Sequence, residues 1–182
     1  MMRLLARLVR FGRDRRGVSA IEFALVAPLM VALYLGCVEL SDGIAVDRKV
    51  SLTAAALANL TSESTALTSG DMTNIFNAAS AIIQPYSASN MKMTVSCLSI
   101  DASKNVTTKW TATSNGGVGT AASVPTDLQV ASTQLILAQV SYAYKPIVGY
   151  TISGTLTLTD KMYMMPRISA PSYPDTNTKC GT

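Results

Sequence analysis

The chain has 182 residues, of which 48% are apolar and only 14% charged, with a formal net charge of +4. It contains no histidine, which excludes Ser-His and Cys-His catalysis and every histidine metal site. Residues 1–17 carry six arginines and one acid, or +5, so the remainder carries +4 − 5 = −1; no basic face is left outside that arm to bind nucleic acid, and no nucleic-acid partner is expected.

The basic arm holds Arg3, Arg7, Arg10, Arg13, Arg15 and Arg16, with Asp14 as its acid. An apolar stretch follows, Val18–Val38 (VSAIEFALVAPLMVALYLGCV), with Glu22 as its single charge. As a helix it would span about 30 Å, the thickness of a bilayer's hydrocarbon core. Glu39, Asp42 and Asp47 come after it. Under the positive-inside rule the arginine arm stays in the cytoplasm and the C-terminal bulk crosses the membrane. A secretory signal peptide fits poorly, because no A-x-A-like site precedes Glu39. Leu35-Gly36-Cys37 resembles the end of a lipobox, although Tyr34 stands where that motif usually has Leu. A plain uncleaved anchor is the third alternative. Glu22 decides among them, since a carboxylate in an apolar helix costs several kcal/mol unless it finds a partner or a proton.

Arg15-Arg16-Gly17-Val18-Ser19-Ala20-Ile21-Glu22-Phe23 resembles the processing site of type IV prepilins. The match is closer still to the TadE-like pseudopilins of the tight-adherence (Tad/Flp) pilus, with Pro28 inside the apolar helix and Gly36-Cys37-Val38-Glu39 at its exit. The resemblance covers roughly residues 14–60, a membrane helix and its extension. It implies a minor pilin-like subunit without catalytic function or cofactor. It further implies a cut between Gly17 and Val18 by a prepilin peptidase, with Arg13, Arg15 and Arg16 as the basic leader. Glu22, next to Phe23, then becomes the assembly and processing carboxylate, able to neutralise the new amine of a neighbouring subunit. The implied partners are the prepilin peptidase, other pilin or pseudopilin subunits and an inner-membrane assembly platform. The implied location is the bacterial inner membrane, single pass, with a periplasmic C-terminal domain that could reach the extracellular pilus. The alternative is an uncleaved or lipid-anchored periplasmic binding module.

Three units are expected: a leader, 1–17; a membrane helix with its periplasmic extension, 18–62; and a periplasmic α+β domain, 63–182. Val46, Val50, Thr53, Leu57 and Leu60 recur at helical spacing, and Gly43 is a weak point where the helix could bend. Thr61–Gly70 reads as a polar connector. Thr68-x-x-Asp71 has the form of a capping box, and Met72, Ile75, Phe76, Ala79, Ile82 and Ile83 predict an amphipathic helix stopped by Pro85.

Beyond Tyr86 the period changes to two. Met91, Met93, Val95 and Cys97 alternate with polar residues, which predicts a half-buried strand. Lys104–Trp110 is expected as its hairpin partner, and Thr111–Thr126 as an exposed loop. Asn115-Gly116-Gly117 lacks the strand-then-helix frame of a phosphate loop. Gln134–Val148 predicts a long strand and Thr155–Met164 another, with Asp160 at a bulge or edge. Trp110, Tyr142, Tyr144 and Tyr163 are expected as core or sheet-face aromatics.

The expected architecture is α+β: a long N-terminal transmembrane helix packed on an antiparallel sheet of about four strands, in a pilin-like arrangement. Cys97 and Cys180 are candidates for one disulfide in an oxidising compartment, two free thiols being the alternative. That bond would close about 80 residues and pin a tail containing Pro166, Pro171 and Pro174. Cys37 reads as a small hydrophobe. No catalysis is expected. The acids beyond residue 60 (Glu63, Asp71, Asp101, Asp127, Asp160 and Asp175) are scattered along the sequence, with no pair marked for glycosidase chemistry.

Overall fold

The computed structural model describes residues 16–119, 122–146, 154–173 and 178–180. A 47-residue helix, α1 (Arg16–Ser62), runs without interruption through Pro28 and Gly43, a length of about 70 Å at 1.5 Å per residue. Its two halves differ. No residue from 17 to 38 is buried, whereas Glu39, Val46, Val50, Thr53, Ala54, Leu57 and Ala58 are. The N-terminal half has apolar side chains on all sides, the composition of a helix surrounded by lipid. The C-terminal half is amphipathic and lays one stripe on a sheet.

That sheet has four antiparallel strands in the order β2-β1-β3-β4: β1 (Met91–Ile100), β2 (Val106–Ser114), β3 (Thr133–Tyr144) and β4 (Leu156–Met164). The helix lies mainly over β3 and β4. Alternation along the strands sends Met91, Met93, Val95 and Cys97 of β1, and Ile136, Ala138, Val140, Tyr142 and Tyr144 of β3, into one core with α1. The α+β architecture of a long apolar helix on a four-stranded antiparallel sheet is therefore present.

Beside α1, toward the β2 side of the sheet, sits α2 (Ser69–Ser80), extended by a 3-10 turn over Ala81–Ile83. Thr68 is its N-cap. The Asp71 backbone N–H donates to Thr68 Oγ1 at 3.0 Å, and the Thr68 backbone N–H donates to Asp71 Oδ2 at 3.0 Å, so two N–H groups at the helix start are satisfied reciprocally. Met72, Phe76 and Ala79 point into the core. The ammonium of Lys49 donates to the carbonyls of Ile82 and Gln84, tying the end of this helical segment to α1.

The structure corrects several expectations. β1 is buried on both faces rather than half-buried. Leu98, Ile100, Leu135 and Leu137 form a second core on the side away from α1, closed by Val124 and by Tyr163. The segment expected as an exposed loop supplies that cover. Its first residues, 111–114, belong to β2; beyond them the Val118 N–H donates to Thr94 Oγ1 at 2.7 Å, and the Tyr163 hydroxyl donates to the Ser123 carbonyl. Gly117 makes the close passage possible: its φ is +68°, and a Cβ there would stand 2.8 Å from Thr113 Cγ2. The hairpin turn is longer than expected, with β2 starting at Val106 and Lys104 at φ 64°. β3 closes at Tyr144, and the remainder of the strand expected as far as Val148 lies partly outside the described residues. Asp160 is on the edge strand but not at a bulge; the irregularity is in the β1–β2 pair, where Lys109 is the extra residue between the partners of Cys97 and Leu98.

The tail is ordered by more than one anchor. The Arg167 N–H donates to the Ser62 carbonyl and the Leu67 N–H to the Ser172 carbonyl, both at 2.9 Å. A short hairpin, β5 (Ser172–Tyr173) with β6 (Thr178–Lys179), leads to Cys180, which is joined to Cys97 in a disulfide. Both of these cysteines are fully buried. Pro174 lies outside the described residues.

Candidate functional site

The residues singled out from the sequence fall on the exposed half of α1. Arg13 and Arg15 lie outside the described residues, and Arg16 opens the helix. Gly17, Val18, Glu22 and Phe23 follow in its first two turns, all exposed. No heavy atom beyond the local chain comes within 4 Å of the place where a Gly17 Cβ would stand, so the peptide bond after it is open to approach. The first turn of α1 contains no acid.

Glu22 lies four residues after Val18, one turn further along the same face. From there the helix continues as apolar residues to Val38. Cys37 is a free, exposed cysteine within this run. Ala24, Ala27, Pro28, Val31, Ala32 and Leu35 line a shallow apolar groove along one side.

The junction with the sheet is more polar than the sequence implied. Glu39 is the first buried residue of the helix, at 3% exposure, and Asp42 follows one turn later. Tyr86 and Tyr144 meet there edge to face with ring centroids 6.5 Å apart. Burial raises the hydroxyl of Tyr86 above its ordinary pKa, with the Asp42 carboxylate adding to the effect. Tyr144 is raised chiefly by burial as well, then by Asp42, Tyr86 and Glu39. Asp42 acts on both rings and Glu39 on that of Tyr144, so two acids and two tyrosines share the point where α1 meets its sheet. Sequence reasoning treated Glu39 only as a membrane-exit marker. Its position seven residues before Val46, in the stripe that includes Val50 and Leu57, was the available signal that it faces inward.

α1 is long and apolar enough to cross a membrane, and among the described residues it is the helix of that kind. Residues 17–58 match the family model described as TadE-like protein. The match begins at the glycine before Val18 and ends four residues short of the end of α1. The TadE-like segment is thus this helix, and the resemblance carried by the Gly-Val-Ser-Ala-Ile-Glu-Phe run and Pro28 holds over it. It associates the chain with the Tad pilus and, with the apolar helix, marks a single-pass membrane protein. The sheet, α2 and the tail lie outside the matched residues. No curated protein and no solved structure matches the chain.

Proposed function

We propose that this protein is a minor, pilin-like subunit that serves the assembly of a Tad/Flp-type pilus and has no catalytic activity. The observation that carries the reading is the TadE-like match over residues 17–58, coincident with an unbroken helix whose first half is apolar and unburied. In this reading the arginine leader stays on the cytoplasmic side of the inner membrane and the sheet domain stands in the periplasm. A prepilin peptidase removes residues 1–17, after fraying of the first turn presents the Gly17–Val18 bond. Glycine suits the position before the cut because it has no side chain to hold the protease away.

Cleavage converts a cytoplasmic tether into a free helix end. The new ammonium at Val18 supplies the cation that Glu22 of a neighbouring subunit needs in an apolar bundle. Other pilin or pseudopilin subunits and the inner-membrane assembly platform are the partners. The periplasmic disulfide between Cys97 and Cys180 fits an oxidising compartment.

The deciding experiment is the intact mass and N-terminal sequence of the protein from membranes, with and without an active prepilin peptidase. A chain that starts at Val18 only when the peptidase is active is expected. A chain of full length in both strains would leave a tethered periplasmic domain, and acyl modification at Cys37 would make it a lipid-anchored one.

A further inference from the structure

Val26, Met30, Leu33, Cys37, Leu40 and Ile44 follow one another at spacings of 4, 3, 4, 3 and 4, and all six are exposed. That alternation is the seven-residue repeat with which two parallel helices interlock. Inside a bilayer an exposed apolar stripe needs no protein partner. Leu40 and Ile44 are different, because they lie past the 22 unburied residues 17–38, on the part of α1 that packs on the sheet, yet they are 61% and 51% exposed.

We infer that this seam pairs with the same seam of a second copy, the two helices lying parallel and in register. Membrane insertion gives every copy the same direction and places each residue at the same depth, so like positions meet like. The seam points roughly 140° away from Val46, Val50 and Leu57, at 100° per residue, and a second helix there is clear of the sheet. The opposite face of α1 also has a packing signature, with Ala20, Ala24, Pro28, Ala32 and Gly36 spaced by four. Past residue 38, however, that face turns into this chain's own sheet, where Tyr144 Cε1 stands 4.0 Å from the place of a Gly43 Cβ. A second copy running along it would be blocked.

Charge also fits the seam. After Ile44 the next positions are Asp47, in the repeat, and Arg48 beside it, both exposed. In a parallel pair in register the two Asp47 side chains face each other, and Arg48 of each copy lies beside the Asp47 of the other and offsets their like charge at the wet end of the seam.

Cys37 reports the geometry. With axes about 8–10 Å apart and Cα atoms about 2.3 Å from each axis, facing residues come within the roughly 4.4–6.8 Å that a disulfide spans. Leu35, on the opposite face, would be about 13–15 Å from its counterpart. The pairing does not depend on leader removal, since every residue of the seam lies beyond Val18. The test is oxidative crosslinking with copper-phenanthroline of the full chain in native membranes, read on non-reducing gels. Cys97 and Cys180 are already joined and buried and stay silent. Wild-type Cys37, and Leu40→Cys in a Cys37→Ser background, should give a product of twice the chain mass. That product should be at least roughly tenfold more abundant than from Leu35→Cys in the same background, given the distances a disulfide accepts. An equal or larger yield from Leu35→Cys overturns the proposal. So does a product joined to a different protein, or no product from either seam position.

Discussion

The indole N–H of Trp110 donates to the carbonyl of Pro171 at 3.1 Å, across 61 residues of chain. Tyr173 lies against the same indole, ring centroids 5.4 Å apart. The tail is therefore a strap over the β2 side of the core, fastened at one end by backbone bonds to Ser62, Thr65 and Leu67 and at the other by Cys180.

Loss of that fastening should be costly and visible. The bond joins residues 83 apart, for which the chain-entropy model gives about 4.5 kcal/mol. A Cys97→Ser, Cys180→Ser double variant of the full chain in detergent should lose stability of that order in denaturant unfolding. Trp110 is the protein's one tryptophan, so its emission should move to longer wavelength as the strap lifts. An unshifted spectrum and an unchanged midpoint would mean that the backbone bonds hold the strap by themselves.

The N-cap of α2 gives a smaller, pH-dependent effect. Thr68→Ala removes the side-chain acceptor for the Asp71 N–H and should cost about 1 kcal/mol. The hydrogen bond from the Thr68 hydroxyl, followed by that from its backbone N–H, holds the Asp71 carboxyl below the usual carboxylate range. A depressed folded pKa stabilises above the unfolded value and loses that contribution as pH falls through the folded one. The stability gap between wild type and Asp71→Asn should thus be full near neutrality and close below about pH 4. A gap that widens in acid would contradict the capping geometry.

Gly43 offers a stabilising change. It lies inside α1, and an added Cβ would meet Tyr144 only at ordinary contact distance, 4.0 Å. Gly43→Ala should raise stability by about 0.5–1 kcal/mol through helix propensity. Thermal unfolding of the two proteins side by side measures it, and a lowered midpoint would show that α1 and Tyr144 need the gap.

For Glu22 the expected outcome concerns assembly rather than insertion. Glu22→Val should leave the protein in the membrane fraction while piliation falls, whereas Glu22→Asp should retain part of it. Pilus counts by electron microscopy, paired with membrane fractionation, distinguish the two effects. Wild-type piliation in Glu22→Val would remove the carboxylate from the mechanism.

The parts of the fold legible in the sequence were those governed by a local rule. The apolar run after the arginine arm, the Thr68-x-x-Asp71 cap and the alternation in β1, β3 and β4 each depend on neighbours close in sequence. What escaped depends on distant segments. Nothing local marks Leu98 and Ile100 as buried beneath Val124, and nothing within Ser172–Tyr173 announces a hairpin with Thr178–Lys179. Gly117 reads as one more loop glycine until Thr113 is seen to press on it. Gly17, Val18, Glu22 and Phe23 are proposed as a site from the motif alone. The junction of Glu39 with Asp42, Tyr86 and Tyr144 was not, because its members come from elements separated by dozens of residues.

Because α1 runs as one helix from its apolar half to its last contact with the sheet, the domain is joined to its anchor without an intervening loop, and Pro28, which has no N–H to donate, lies well inside the apolar half. A pull on the membrane end, or a twist imposed there by neighbours, travels along the helix to the face of β3 and β4. The domain follows its stem, and whatever grips the stem bears on the orientation of everything the domain displays.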